Sequence, residues 1–218
     1  MTPLRSILVL LAGLLVRGAA AVDCTVVINE VMYHPATNET ALEWVELRNQ
    51  MAVDMDVTGW RLGGAIDFTF TEVTIVPGGG YLVVAISPPT LAALQGLTNV
   101  AGPFSGRLGN GGDTVTLRNN NNRLMDRVEY GVKGDWPVAP DGAGPSLARI
   151  GEDTPGAEPE AWRASREMGG TPGRENFPAP FVTVLAAVPF DSAWRFVEAD
   201  PGAGWTGAGF ADGAWAAG

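Results

Sequence analysis

The stretch Leu42-Glu43-Trp44-Val45-Glu46-Leu47 is a short β-type run, and the same texture recurs along most of the chain. A similar run precedes it at Val26-Val27-Ile28, and others follow at residues 67–71 and 114–117. Residues 81–86 are apolar on both faces, as expected of a central strand. Turn residues separate these runs, and helical periodicity is scarce. Short strands between frequent turns predict an all-β sandwich or barrel.

Three segments refine this prediction. Residues 51–57 alternate apolar and polar side chains, which predicts a strand with one wet face. Residues 90–95 are expected to form one helical turn, with Thr90 as the N-cap and Gly96 at its end. The chain after Gly131 is rich in glycine and proline, and we expect it to wrap irregularly around the sandwich with its tryptophans outside the core.

Residues 1–21 have the layout of a secretory signal peptide. One early positive charge, Arg5, precedes the apolar run Ile7–Val16, and small residues end at Ala21, after which cleavage is expected. Arg17 stops the run short of the roughly 20 apolar residues that a membrane-spanning helix needs. We therefore expect a protein that is secreted or held at the cell surface, with no membrane span in the mature chain.

Composition limits the function classes. The 218 residues carry a formal net charge of −10, and their basic residues are scattered. Nucleic-acid binding relies on clustered Lys and Arg, so no nucleic-acid partner is expected. The single cysteine, Cys24, cannot form an intrachain disulfide, and with one histidine, His34, it provides too few ligands for zinc. No catalytic residues are predicted, and His34 is expected to pack in a turn.

Five carboxylates are candidates for weak calcium binding. Asp54 and Asp56 are two residues apart, so a strand would place both on one face. Glu30, Glu43 and Glu46 lie on neighbouring predicted strands. Oxygen ligands of this kind suit calcium, and a carboxylate pair also suits glycoside hydrolysis. The alternative, which we favour, is a solvated sheet face without metal, with the Glu side chains hydrogen-bonded to neighbouring loops.

Two tryptophans leave a similar choice open. Trp44 and Trp60 could be exposed contacts for a partner or a sugar, or they could pack within the sandwich. Packing is the interpretation we favour.

Several motifs occur in the order found in the lamin tail domain. They are Ile28–Pro35, Glu43–Asn49, Thr58–Leu62, Pro77–Ala85, Gly106–Asp113, Val128–Tyr130, Trp136-Pro137, Asp141-Gly142, Ser146-Leu147 and Gly170–Asn176. The resemblance covers about Val26 to Asn176. It implies that residues 22–176 form an immunoglobulin-like β-sandwich.

The resemblance also implies a modest function. Bacterial domains of this family look like non-catalytic modules of secreted or surface proteins, often beside nucleases, other hydrolases or kinase-like domains. We expect an interaction or scaffolding module with an extracellular protein or polysaccharide partner. The alternative is an accessory domain of such an enzyme, with its catalytic domain beyond Gly218. Chromatin binding, as in animal lamins, is opposed by the export signal and the acidic charge.

The C-terminal part is expected to be separate. Residues 177–189 contain several prolines and are predicted to form a linker. Residues 190–218, with evenly spaced tryptophans, resemble the first strands of galactose-binding-like jelly-roll domains. Only the opening of such a domain is present, so the chain is expected to be a fragment of a longer protein. The alternative is a C-terminal flap that docks on the sandwich.

Overall fold

The structure, a computed structural model, describes residues 25–37, 40–151, 155–178, 195, 196, 198, 216 and 217. The predicted signal peptide, Cys24 and most of residues 177–218 lie outside these ranges. Contacts divide the chain into two units, Met1–Pro178 and Ala179–Gly218. In the second unit, strand Arg195–Phe196 pairs antiparallel with strand Ala216–Ala217.

The first unit is built from short strands. In chain order they are β1 (Val26–Met32), β2 (Trp44–Asn49), β3 (Met55–Asp56), β4 (Arg61–Gly64), β5 (Ile66–Thr69), β6 (Ile75–Val76), β7 (Tyr81–Ala85), β8 (Val100–Ala101), β9 (Ser105–Gly106), β10 (Gly112–Arg118), β11 (Leu124–Gly131), β12 (Pro145–Arg149) and β13 (Trp162–Met168). The described part also contains one α-helix, α1 (Pro88–Gln95), and 3-10 turns at Thr40–Leu42 and Pro159–Ala161.

Two sheets contain most of these strands. One has six strands in the order β13-β12-β1-β2-β7-β8, and the other has five in the order β11-β10-β4-β5-β9. Strands β7 and β8 run parallel, and the other neighbours in the two sheets run antiparallel. The predicted all-β, immunoglobulin-like sandwich is confirmed.

The core lies between the two sheets. Ile28, Val31 and Leu47 from the six-stranded sheet share one buried cluster with Val115 and Leu117 from the five-stranded sheet. Alternate residues of each strand point inward, because successive side chains of a strand project to opposite faces. This burial of apolar surface is the main stabilising contribution to the sandwich.

The outer face of the six-stranded sheet is also covered. Met32, Trp44, Val83 and Ala85 form a second buried cluster with Leu91 of α1. The central strand β1 is buried at every residue as a result. This face carries the site described below.

A register shift in β1 determines which of its side chains reach that site. The pairing of β1 with β2 is irregular between Ile28 and Glu30. A bulge adds one residue to a strand and re-aims its side chains. Ile28 and Val31 therefore both reach the core, while Asn29 and Glu30 both contact groups on the outer face.

The helix is longer than predicted. It begins at Pro88, with Ser87 as its N-cap, so the assignment of Thr90 as the cap was wrong. Proline is tolerated in the first helical turn because the N–H groups there have no intrahelical acceptor. Gly96 ends the helix in the left-handed conformation, with φ of 68°, as predicted.

Residues 51–57 do not form the predicted strand. Only Met55–Asp56 is extended, pairing with β6. Met51 and Val53 are exposed, and Val57 is buried. The alternation in the sequence was real, but a two-residue ribbon has no sheet face on which to bury Met51 and Val53.

The irregular segment predicted after Gly131 is shorter than expected, because part of it forms strands. Strands β12 and β13 complete the six-stranded sheet, with β12 paired directly to β1. Trp162 of β13 lies in the core, not outside it. No helix in the described ranges is long and apolar enough to cross a membrane.

Candidate functional site

Glu30 and Glu46 lie side by side on the outer face of the six-stranded sheet. Their Cα atoms are paired across β1 and β2, and neither residue has any exposed surface. Like charges directly opposite each other on neighbouring strands destabilise a sheet. The pair therefore depends on the groups that surround it.

Residues 169–178, which we call the wrap, cross this face and supply backbone donors. Thr171 N donates to Glu30 Oε1 at 2.8 Å. Gly173 N donates to Glu46 Oε2 at 2.5 Å. The two buried carboxylates thus tie the wrap to the sheet.

Two asparagines complete the attachment. Asn176 Nδ2, in the wrap, donates to the backbone oxygens of Asn29 at 3.0 Å and Arg149 at 2.9 Å. Asn29 Nδ2 donates to Glu46 Oε1 at 2.7 Å and to Asn176 Oδ1 at 3.2 Å. These amides satisfy polar groups that would otherwise be buried without partners, which is costly.

Gly170 allows the wrap to approach so closely. Its φ of 84° is in the left-handed region, which favours glycine. A Cβ atom there would lie 2.7 Å from Trp44 Cζ2, 2.8 Å from Glu30 Oε1 and 2.9 Å from Ser146 Oγ. The path of the wrap over the carboxylates therefore requires glycine at this position.

Burial controls the ionisation of both carboxyl groups. Loss of hydration raises the pKa of Glu30 to about 7, although hydrogen bonds from Ser146 and Thr171 and the charge of Arg174 act in the opposite direction. Burial, and then the neighbouring charge of Glu30, raise the pKa of Glu46 to about 8. Both groups favour the neutral form more than an exposed glutamate does.

The other calcium candidates are placed elsewhere. Each accepts a hydrogen bond from a backbone N–H: Glu43 from Leu108 at 2.9 Å, Asp54 from Gly78 at 3.1 Å, and Asp56 from Thr58 at 2.9 Å. Within the described ranges, no group of three or more His, Cys, Asp or Glu residues is positioned to hold a metal ion. Of the five candidates, the structure brings only Glu30 and Glu46 into a direct cross-strand pair. The solvated sheet face that we favoured is wrong for this pair, because both residues are buried, and calcium binding stays a prediction and the less favoured alternative.

The remaining candidates have structural roles. His34 Nδ1 lies 2.7 Å from Asp141 Oδ1, and the ring packs against Gly142. Trp44 and Trp60 are exposed by only 1% and 6%, so both pack within the fold as favoured.

An apolar groove of about 390 Å³ lies beside the wrap. Its lining residues are Met32, Pro35, Ala36, Thr37, Leu42, Trp44, Leu91, Leu94, Gln95, Gly144, Met168 and Gly169. Leu94 on α1 and Met168 on β13 are 62% and 68% exposed. The groove could not be predicted from the sequence because its walls come from segments far apart in the chain.

A buried ion pair, not predicted from the sequence, joins Asp126 and Arg149. Arg149 Nη1 donates to Asp126 Oδ2 at 2.8 Å, and both side chains are almost completely buried. Asp126 Oδ2 also accepts from Ile28 N at 2.8 Å. The signal was available: Asp126 and Arg149 each interrupt an apolar stretch, where an unpaired charge is rarely tolerated.

Comparison with known proteins points to one family. A family model described as Lamin Tail Domain matches residues 19–132, more than half of the chain. A search of curated proteins finds no match.

Proposed function

The chain belongs to the lamin tail domain family, and we propose that it is a non-catalytic module that binds an extracellular protein through the apolar groove. The family is a non-catalytic, immunoglobulin-like one. Export by the predicted signal peptide at residues 1–21 is part of the proposal. The net charge of −10 and the scattered basic residues argue against a nucleic-acid partner.

The groove is the observation that carries this proposal. Contiguous apolar surface that stays exposed on a folded domain marks interaction sites. Leu94 and Met168 project from its rim, and methionine adapts its shape to different partners. A protein ligand that inserts an apolar side chain between them would bury both.

A protein partner is favoured over a polysaccharide. Sugar recognition through aromatic stacking needs exposed rings, and Trp44 and Trp60 are buried. Trp44 reaches the groove but is 99% covered by its own neighbours. The groove therefore offers aliphatic and thioether surface, which complements an apolar side chain better than a sugar.

The carboxylates support the absence of catalysis. Both oxygens of Glu30 and of Glu46 are held in hydrogen bonds with other groups of the protein, and neither residue is reached by solvent. A general acid or base must contact its substrate. These groups stabilise the fold instead.

Site-specific photo-crosslinking tests the proposal. A photoreactive residue at Leu94, in the full chain, is expected to capture the same protein repeatedly from the medium of the producing cells. The same residue at Val73, which is 82% exposed and does not line the groove, is the matched control. Capture at Leu94 should disappear in a Met168→Asp variant that has unchanged stability.

Equal capture at the two positions would count against the groove as the binding surface. Hydrolase or nuclease activity of the chain itself would contradict the proposed non-catalytic role.

A further inference from the structure

The hydroxyl group of Thr171 has one proton to donate, but three acceptor oxygens lie close to it. Its Oγ1 atom lies 3.0 Å from each oxygen of Glu30 and 3.1 Å from Asn176 Oδ1. A threonine hydroxyl donates only one hydrogen bond. If Glu30 is ionised, Thr171 can serve either Glu30 or Asn176, and the remaining contact joins two acceptors without a proton.

Turning the amide of Asn176 around does not resolve this shortage. Its nitrogen already donates to the backbone oxygens of Asn29 and Arg149. Exchanging its nitrogen and oxygen would leave two carbonyl groups facing an oxygen atom. The orientation of the amide follows from its hydrogen bonds, so Asn176 Oδ1 must face Thr171.

A neutral Glu30 resolves it. Glu30 Oε1 accepts from Ser146 Oγ and Thr171 N, which leaves Oε2 as the protonated oxygen. The Oε2–H group then donates to Thr171 Oγ1, and the Thr171 hydroxyl donates to Asn176 Oδ1. Each neighbouring pair of groups, Glu30 with Thr171 and Thr171 with Asn176, then shares one proton, while Glu30 Oε1 is served by Ser146 Oγ and Thr171 N.

We propose that this proton on Glu30 Oε2 is a latch, which holds the wrap closed and opens it when the proton is lost to solvent. On ionisation, Glu30 accepts a hydrogen bond from the Thr171 hydroxyl, and Asn176 Oδ1 keeps only the donor Asn29 Nδ2, at 3.2 Å. The new negative charge is buried beside Glu46. Lifting the wrap hydrates both carboxylates and relieves their repulsion.

The charged groups around Glu30 set the balance. Glu46 faces it from β2, and Arg174 acts on it from the wrap. Arg174 is itself held by Glu167, through Nη1 to Oε1 at 2.5 Å. Arg48 on β2 acts on Glu46, whereas the nearest contact from β12 is the uncharged Ser146. The raised pKa of Glu30, about 7, places the transition near neutral pH.

Opening would change the groove as well. Gly169, the first residue of the wrap, lines the groove, and Gln95 Nε2 of α1 donates to its oxygen at 3.4 Å. Gly170 packs against Trp44, which lines the groove from β2. Movement of the wrap therefore removes part of one wall.

Hydrogen exchange on the full chain tests the latch. Protection of the Thr171 and Gly173 amides is measured at about pH 6 and about pH 9, on either side of the two carboxyl pKa values, after division by the intrinsic exchange rate. We expect protection to fall roughly tenfold or more at the higher pH. Equal protection at both values would overturn the proposal.

The Glu30→Gln variant reproduces the neutral hydrogen-bond pattern, because its amide accepts through one atom and donates through the other. It should keep its protection at the higher pH at the Thr171 amide, which donates to residue 30. Glu43→Gln, which changes a buried carboxylate bound to Leu108 and not to the wrap, should lose protection as the wild type does. The same loss in Glu30→Gln as in the wild type would refute the latch.

A second measurement does not depend on the variants folding. Carbon-13 NMR of the Glu30 carboxyl group in the wild type reports its ionisation directly. We expect a neutral group at about pH 6 that titrates near its raised pKa. An ionised Glu30 at about pH 6 would overturn the proposal.

Discussion

At the scale of single residues, burial decides what the acidic side chains do. Asp56 and Glu167 are exposed, and hydrogen bonds from Thr58 and Arg174, respectively, lower the pKa values of these carboxyl groups. Glu30 and Glu46 also accept hydrogen bonds, but for them the loss of hydration is the larger effect. Similar carboxyl groups therefore have pKa values shifted in opposite directions.

The Glu46→Gln variant should remove part of the pH dependence of stability. The folded pKa of Glu46 is raised from 4.5 to about 8, so the folded protein binds a proton that the unfolded chain has released. Its contribution to stability is fully present below about pH 4.5 and is lost as pH rises to about 8. Urea unfolding across this window should show a steeper fall for the wild type, by on the order of 1 kcal/mol per pH unit.

Asp67→Asn, at an exposed carboxylate, is the control for Glu46→Gln. It should leave the slope of the wild type unchanged. Parallel slopes for the wild type and Glu46→Gln would show that Glu46 is not neutral in the folded protein.

Gly170→Ala should destabilise the protein by about 1–3 kcal/mol, because strain from a positive φ is added to close contacts with Trp44 and Glu30. Gly134→Ala is the matched control, since Gly134 has φ of 69° and open space around it. Chemical denaturation of both variants separates the two effects. An equal loss of stability in the two variants would mean that the wrap moves to accommodate the added methyl group without further destabilisation.

At the scale of elements, one polar tie connects the two sheets inside an apolar core. Asp126 Oδ2 on β11 accepts hydrogen bonds from Ile28 N on β1 and from Arg149 Nη1 on β12. Arg149 Nη1 also donates to Ile28 O at 3.2 Å. The direction of these hydrogen bonds specifies how β11 sits against β1, which apolar contacts alone specify less strictly.

Removing the hydrogen bonds of Asp126 should strongly destabilise the protein. Asp126→Ala leaves the Ile28 N–H without its acceptor and takes a buried carboxylate from Arg149, for an expected loss of about 3–5 kcal/mol in the free energy of unfolding. Glu129→Gln, at an exposed ion pair with Arg127 on the same strand, should change it by less than about 1 kcal/mol. Denaturant titration checks both, and a small effect of Asp126→Ala would show that water replaces the carboxylate.

At the scale of the whole molecule, the six-stranded sheet is buried on both faces although the chain is small. The second sheet covers one face, and α1 and the wrap cover parts of the other. Acidic residues that a one-sided sheet would expose to water are therefore placed in the interior. The groove lies between α1 and the wrap, where this cover is incomplete.

Calcium should leave the thermal stability of the whole chain unchanged. Glu30 and Glu46 are enclosed, and Glu43, Asp54 and Asp56 each bind a different backbone N–H. Thermal melts with excess calcium and with a chelator are expected to coincide. A rise in Tm of more than roughly 2–4 °C, about 1 kcal/mol for a protein of this size, would instead support the calcium prediction.

Local patterns in the sequence predicted the all-β class and several strands, but not strands β12 and β13, which lie where an irregular segment was expected. Strands 67–71 and 114–117, the central strand at 81–86 and the helix end at Gly96 rest on alternation and turn chemistry between near neighbours. The motifs of residues 28–49 identified the family for the same reason. The segment at 51–57 failed because its alternation had no sheet face to match.

The site depended on the tertiary structure. The sequence made Glu30 a candidate calcium ligand, but its hydrogen-bond partner Thr171 lies 141 residues away in the chain. Only the folded sheet shows that Glu30 and Glu46 face each other under the wrap, where burial outweighs hydrogen bonding in setting their pKa values. Strand patterns depend on neighbouring residues and are visible in the sequence. Ionisation depends on everything within a few ångströms, and only the fold decides which groups those are.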